Sequence, residues 1–238
     1  MNVGPSVCDV NRRRANCAPV WYSQAAMVIS GNHRRGLTAT DRSAPGRSAA
    51  RERILATAYE LFCQEGIRAV GIDRIIEQAG VAKMTMYRHF GSKEDLVLAV
   101  LDRREQLWTQ EWLVAEVTSR NLSPQASLIA IFDVFDGWFR RRTFEGCLFV
   151  NALIEIADAK SPIHKACCAQ LENIRSFIGQ LATDAGITDP RSFAREWHIL
   201  MKGSIVAAGE GDVAAARRAQ HLGRLLLANV LPFQAPAP

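Results

Sequence analysis

Several things are scarce in this 238-residue chain, and each scarcity excludes something. Proline is thin, with nine residues, and no segment alternates apolar and polar side chains for long enough to read as a half-buried strand. No apolar run reaches the roughly 18–20 residues that a membrane helix needs, so no membrane partner is expected. The six cysteines (Cys8, Cys17, Cys63, Cys147, Cys167 and Cys168) include no CxxC pair and no Cys/His spacing that suits zinc. They read as reduced thiols of a cytoplasmic protein. His164 and His198 lack a carboxylate or cysteine at a matching local spacing, so no metal ligands are assigned. No nucleophile and base occur together in a supporting context, which leaves no catalytic residues and no cofactor to name. The chain is read as not an enzyme.

What is present is ordinary globular material: 48% hydrophobic and 22% charged residues. The net charge of +5 is unevenly placed. Residues 1–50 hold seven of the 29 basic residues, all arginine, and only Asp9 and Asp41 of the 24 acidic ones. The remainder is therefore neutral, and the basic balance belongs to the N-terminal stretch. Residues 1–47 contain Gly, Pro, Ser, Asn and Arg without periodicity and read as a flexible basic arm. Arg12, Arg13 and Arg14 followed by Ala15 to Ile29 imitate a secretory signal, but Asn16, Pro19, Ser23 and Gln24 break its apolar core. An arm, or a start placed too early with Met27 as the internal candidate, is the expectation.

From Ser48 onward the pattern is helical. Ile54, Ala58, Leu61 and Phe62 share one face of a first helix, Ala49 to Glu65, ended by Gly66. Ile72, Ile75, Ile76 and Ala79 mark a second, ended by Gly80, and a short third runs from Lys83 to Phe90. Ser92 and Asp95 form an acidic variant of the capping box for a long fourth helix reaching Val117. Further helices are expected at about 125–141, 145–158, 161–185, 190–209 and 212–230, with Ser161-Pro162 and Asp189-Pro190 as cap-then-proline starts.

Two short helices joined by Ala79-Gly80-Val81-Ala82 make a helix-turn-helix, whose sharp bend needs a glycine. In the third helix Met86 and Phe90 turn inward with Val81. Lys83, Thr85, Tyr87, Arg88 and His89 turn outward, and no acidic residue occurs from Val81 to Lys93. Cations, a hydroxyl, a phenol and an imidazole suit phosphates and base edges.

The stretch Ala79-Gly80-Val81-Ala82-Lys83-Met84-Thr85-Met86-Tyr87-Arg88-His89-Phe90-Gly91-Ser92-Lys93-Glu94-Asp95-Leu96 resembles the signature of the tetracycline-repressor (TetR) family. The resemblance implies an all-α fold with three parts. These are the arm at 1–47, a three-helix DNA-binding domain at 48–95, and a helical ligand-binding and dimerisation domain at 96–238. It implies a homodimer on a palindromic operator in double-stranded DNA, acting as a repressor that a small apolar effector releases. By position, Thr85 and Tyr87 resemble phosphate or base contacts, and Lys93 resembles the lysine that holds the DNA backbone. Lys83, Met84, Arg88 and His89 fall at variable reading positions.

Gly71 and Ala82 stand where the family often has Thr or Ser. The segment Glu145 to Ala152 is similar to an element of one branch of the family. With it, Trp108, Trp112, Phe135, Trp138, Phe149, Asn151 and Trp197 become ligand candidates, each also explicable as core. Asn151 is singled out as an amide that needs partners if buried. The dimer is expected from two stripes: Ala194, Trp197, Leu200, Met201, Ile205 and Ala208, then Leu222, Leu225, Leu226 and Val230. Rival readings are a non-specific DNA binder working through the arginine-rich arm, or a helical cytosolic enzyme.

Overall fold

The computed structural model describes residues 45–231, and these are helical throughout with no strand among them. The arm expected at 1–47 lies outside the described residues except for its last three. Those three open helix α1 (Pro45–Glu65), four residues earlier than the periodicity predicts. The helix therefore begins at Pro45, whose fixed φ and missing N–H suit a first turn. Two compact units follow, divided between Leu96 and Val97.

The first unit holds α1, α2 (Ile72–Ala79), α3 (Lys83–His89) and the start of α4 (Lys93–Arg104). Its core gathers Ile54, Ala58, Tyr59, Phe62, Val70, Ile75, Met86 and Leu96, all essentially sealed from water. Burial of each such side chain stabilises by roughly 1.5–3 kcal/mol. Gly80 closes α2 at φ 61 and ψ 46, the left-handed conformation that a Cβ disfavours. At the start of α4 the amide of Asp95 donates to Ser92 Oγ at 3.0 Å, as the capping box predicts. The return contact differs: the Asp95 carboxylate is too short to reach the cap backbone and instead accepts from the Ser92 hydroxyl at 2.9 Å.

The second unit begins within α4 and continues without a break into a π-helical segment, Glu105–Val114, then α5 (Ala115–Thr118). Sequence periodicity gives no sign of this wider winding. The side chains register it: Gln110 donates to Glu105 and Gln106 to Glu111, both across five residues and both at 3.0 Å. After it come α6 (Pro124–Phe139), α7 (Leu148–Glu155), α8 (Pro162–Asp184), α9 (Pro190–Gly209) and α10 (Ala215–Val230). Ser123, Ser161 and Asp189 cap α6, α8 and α9, each with proline at the first turn.

The two stripes assigned to a dimer do not both face outward. Ala194, Trp197, Met201 and Ile205 are buried inside the subunit, where Trp197 stacks on Phe193 at 5.2 Å and lies beside Phe132 at 5.3 Å. Gly223 of α10 makes this possible, because a Cβ there would sit 2.7 Å from the Trp197 ring. The apolar residues that α9 exposes are Ile199 and Val206, and α10 exposes Leu222 and Leu225 from the second stripe. An amphipathic pattern locates an apolar face but not the surface it docks on.

Candidate functional site

Helix α3 is held from below. Met86 is fully buried and Phe90 nearly so, while Arg51 of α1 lies over the Phe90 ring at 5.0 Å and Arg53 bonds the Ala79 carbonyl at 3.3 Å. With that side fixed, Lys83, Met84, Tyr87 and Arg88 fall at i, i+1, i+4 and i+5 and share the exposed face. Met84 is 72% exposed and Tyr87 41%, so this face combines large side chains with the two cations. Thr85 and His89 flank the face, half-buried. Lys83 makes a 3.3 Å pair with Asp73, but both side chains are exposed. Such a pair is worth at most about 1 kcal/mol, so a phosphate can displace the carboxylate.

Lys93 has a different place from the other candidates. Its ammonium donates to the Ile67 carbonyl at 2.6 Å and lies 6.0 Å from the centre of the Phe62 ring. It ties the start of α4 to the turn that follows α1.

Neither short helix has a side-chain cap: Gly71 and Ala82 occupy the N-cap positions in extended conformation and supply no acceptor. Ala82→Ser places a hydroxyl where the Thr85 amide now bonds only the Ala82 carbonyl at 2.8 Å. A gain of about 0.5–1 kcal/mol in unfolding free energy is expected, measured by urea denaturation. An unchanged midpoint would show that the cap geometry is not satisfied by the side chain.

In the second unit Trp108, Trp112, Phe135 and Trp138 come together as one aromatic cluster, with ring centroids 5.1–6.1 Å apart. Phe139 and Phe144, which the sequence did not single out, complete it. Phe132 links Phe135 to Trp197, so Trp197 joins the same aromatic chain from the far side. Phe149 is buried in α7. Asn151 is exposed, so the burial that would have made its amide a sharp candidate is absent.

Polar groups beside the cluster include Arg104 and Arg141, which lie over Trp108 and Trp112, and Glu145, which pairs with Arg104. Arg104 is 1% exposed; its guanidinium donates to Glu145 at 2.7 Å and to the Gly146 carbonyl at 3.4 Å, and it lies over Trp108 at 5.3 Å. Glu105 Oε2, Trp108 Nε1 and Thr109 Oγ1, all on the π-helical segment, are buried without a hydrogen-bond partner among the described residues. Thr109→Val removes one such hydroxyl at nearly constant volume. Its thermal midpoint should equal or exceed that of the parent, and a clear fall in a melting curve would mean the hydroxyl is bonded after all.

Burial raises the thiol pKa of Cys147 and pushes that of Cys167 up to about 12, so both stay protonated. His164 bonds the Ile156 carbonyl at 2.9 Å, and no group of three potential metal ligands occurs among the described residues.

Comparison with known proteins agrees with both units. Residues 54–100 match the family described as bacterial regulatory proteins, tetR family, and residues 124–222 match the tetracyclin repressor-like C-terminal domain. The structure of SCO4454, a TetR-family transcriptional regulator from Streptomyces coelicolor, is 31% identical with a TM-score of 0.71, over 77% of this chain and 96% of that one. This chain belongs to the TetR family. The reduced form of NemR from Escherichia coli shares the TetR fold, with a TM-score of 0.69 at 22% identity over 78% of this chain and 98% of that one. Among curated relatives, the HTH-type transcriptional repressor NemR of Escherichia coli K12 is 27% identical over 117 residues, 49% of this chain and 58% of its own length. The transcriptional activator FasR of Mycolicibacterium smegmatis is 46% identical over 57 residues, 24% of this chain and 26% of its own. These two alignments thus span a quarter to somewhat over half of the curated relatives. No helix among the described residues is long and apolar enough to cross a membrane.

Proposed function

We propose that this TetR-family transcriptional regulator is a cytoplasmic repressor that binds a palindromic operator as a homodimer and is released by a small, largely apolar effector. The observation that carries the DNA-binding part is the exposed Lys83, Met84, Tyr87 and Arg88 face on a helix seated by buried Met86 and Phe90. Such a helix enters the major groove and takes phosphates with its cations and base edges with its donors.

Support for a dimer comes from Ile199, Val206, Leu222 and Leu225, exposed on the last two helices, where a second copy would bury them as a four-helix interface. Two reading helices related by a two-fold axis then meet half-sites about 34–36 Å apart. Support for an effector comes from the aromatic cluster around Trp108 and its unpartnered buried polar atoms, the composition expected of a ligand site. An effector shifts the population toward the state it binds better, and release requires only that this state fit DNA worse. The sign of regulation rests on the alignment with a repressor, which reaches beyond the DNA-binding unit. The activator alignment covers only 57 residues.

Titrating a selected operator duplex with purified protein tests this reading. Two protomers per palindrome are expected, with apolar aromatic compounds that quench tryptophan fluorescence also lowering operator affinity. One protomer per site, or quenching with no effect on DNA, would contradict it.

A further inference from the structure

Away from the aromatic cluster, α8 and α9 border a concavity. It is a groove of about 490 Å³ whose lining includes Glu172, Arg175, Gly179, Arg191, Ala194 and Arg195. Small residues make its floor: a Cβ on Gly179 would lie 3.9 Å from the Ala194 side chain and from the Pro190 carbonyl. Three guanidinium groups line it against one carboxylate, an excess of two positive charges.

The three arginines are not alike. Arg191 and Arg195 are exposed on α9, one turn apart, and neither has a partner among the described residues. Arg175 is held. Its Nε and one terminal nitrogen donate to a single Glu172 oxygen, and the other terminal nitrogen donates to His198 Nδ1 at 3.5 Å. His198 is buried, and burial first, then Lys202 and Arg175, keep its pKa down at about 3. It is thus a neutral acceptor at any physiological pH. A guanidinium has five N–H donors, so these three bonds restrain the plane of Arg175 and leave it two N–H groups to offer an anion in the groove.

We propose that this groove binds a small anion carrying two or more negative charges, a phosphate or carboxylate compound, at a site separate from that of the apolar effector. Arg175 supplies a restrained guanidinium. Arg191 and Arg195, on flexible stems at the rim, close on the remaining oxygens. The excess of two positive charges matches a dianion, and a neutral or monovalent compound leaves it uncompensated.

The test uses the full chain, with inorganic pyrophosphate and citrate as probes. Saturable binding by calorimetry is expected, with hydrogen-exchange protection over residues 172–195. The double variant Arg191→Gln/Arg195→Gln changes only exposed side chains and should lose about tenfold in affinity while melting as the parent does. The stronger of the two probes tells phosphate from carboxylate. Absence of binding would overturn the proposal, as would protection confined to the Lys83–Arg88 face or to the N-terminal 47 residues. So would a double variant that binds the probes normally but dissociates into monomers, since the arginines would then serve a second copy of the chain.

Discussion

Arg88→Ala should weaken operator binding by about ten- to a hundredfold while leaving the melting temperature where it was. Arg88 is exposed on the reading face and its side chain supports none of the core around Met86. A bidentate arginine–guanine contact is worth roughly 1–3 kcal/mol. Its removal should also relax preference at one base pair per half-site, readable from competition with single-substituted duplexes. The combined Lys83→Ala/Tyr87→Ala/Arg88→Ala variant should lose specific binding altogether and remain folded. Lys93→Ala is the informative contrast. Its ammonium bonds the Ile67 carbonyl, so this variant should lose stability together with DNA affinity. Equal melting curves for Lys93→Ala and the parent would mean that Lys93 acts on DNA alone.

Glu145→Ala should destabilise the second unit strongly. Arg104 is almost wholly enclosed, and Glu145 pairs with it at 2.7 Å. Removing one partner of a buried pair costs about 3–5 kcal/mol, because the remaining charge stays desolvated. That is a large share of the roughly 5–15 kcal/mol by which domains are stable. Glu145→Gln keeps an acceptor and should cost less. Denaturation monitored by tryptophan fluorescence reports on this site directly, since Arg104 lies over Trp108. A loss below about 1 kcal/mol for the alanine variant would show that the pair contributes little.

The first unit was legible because its signals are local. Gly66 and Gly80 stop helices at positive φ, Ser92 caps the next, and Met86 and Phe90 declare the inner side of a seven-residue helix within that same helix and its cap. The second unit was legible in its helices and much less so in its site. Arg104 and Glu145 are 41 residues apart, and nothing local marks them as partners. The π-helical winding at Glu105–Val114 coincides with the packing of Trp108 and Trp112 on Trp138, tertiary contacts that periodicity does not carry. Trp197 was placed on an outer stripe because its apolar spacing is real. Gly223, the residue that admits it to the core, lies one helix later. Nothing local in the sequence tells whether the Asn151 amide is buried, and the fold exposes it.

The basic N-terminal stretch supplies the one rival that predicts DNA binding by another route. It carries the whole +5 of the chain, whereas the described units are close to neutral. Charge alone gives affinity that falls steeply with salt and reads no sequence. A reading helix gives preference that survives at physiological salt.

Selection of binding sites from a random duplex pool, at physiological salt and with purified full-length protein, separates the two most directly. Enrichment of a single palindrome is expected, retained when residues 1–47 are deleted and lost in the Lys83/Tyr87/Arg88 variant. Binding without enrichment, or enrichment that disappears with residues 1–47 and persists in that variant, would contradict the assignment of α3 as the sequence reader.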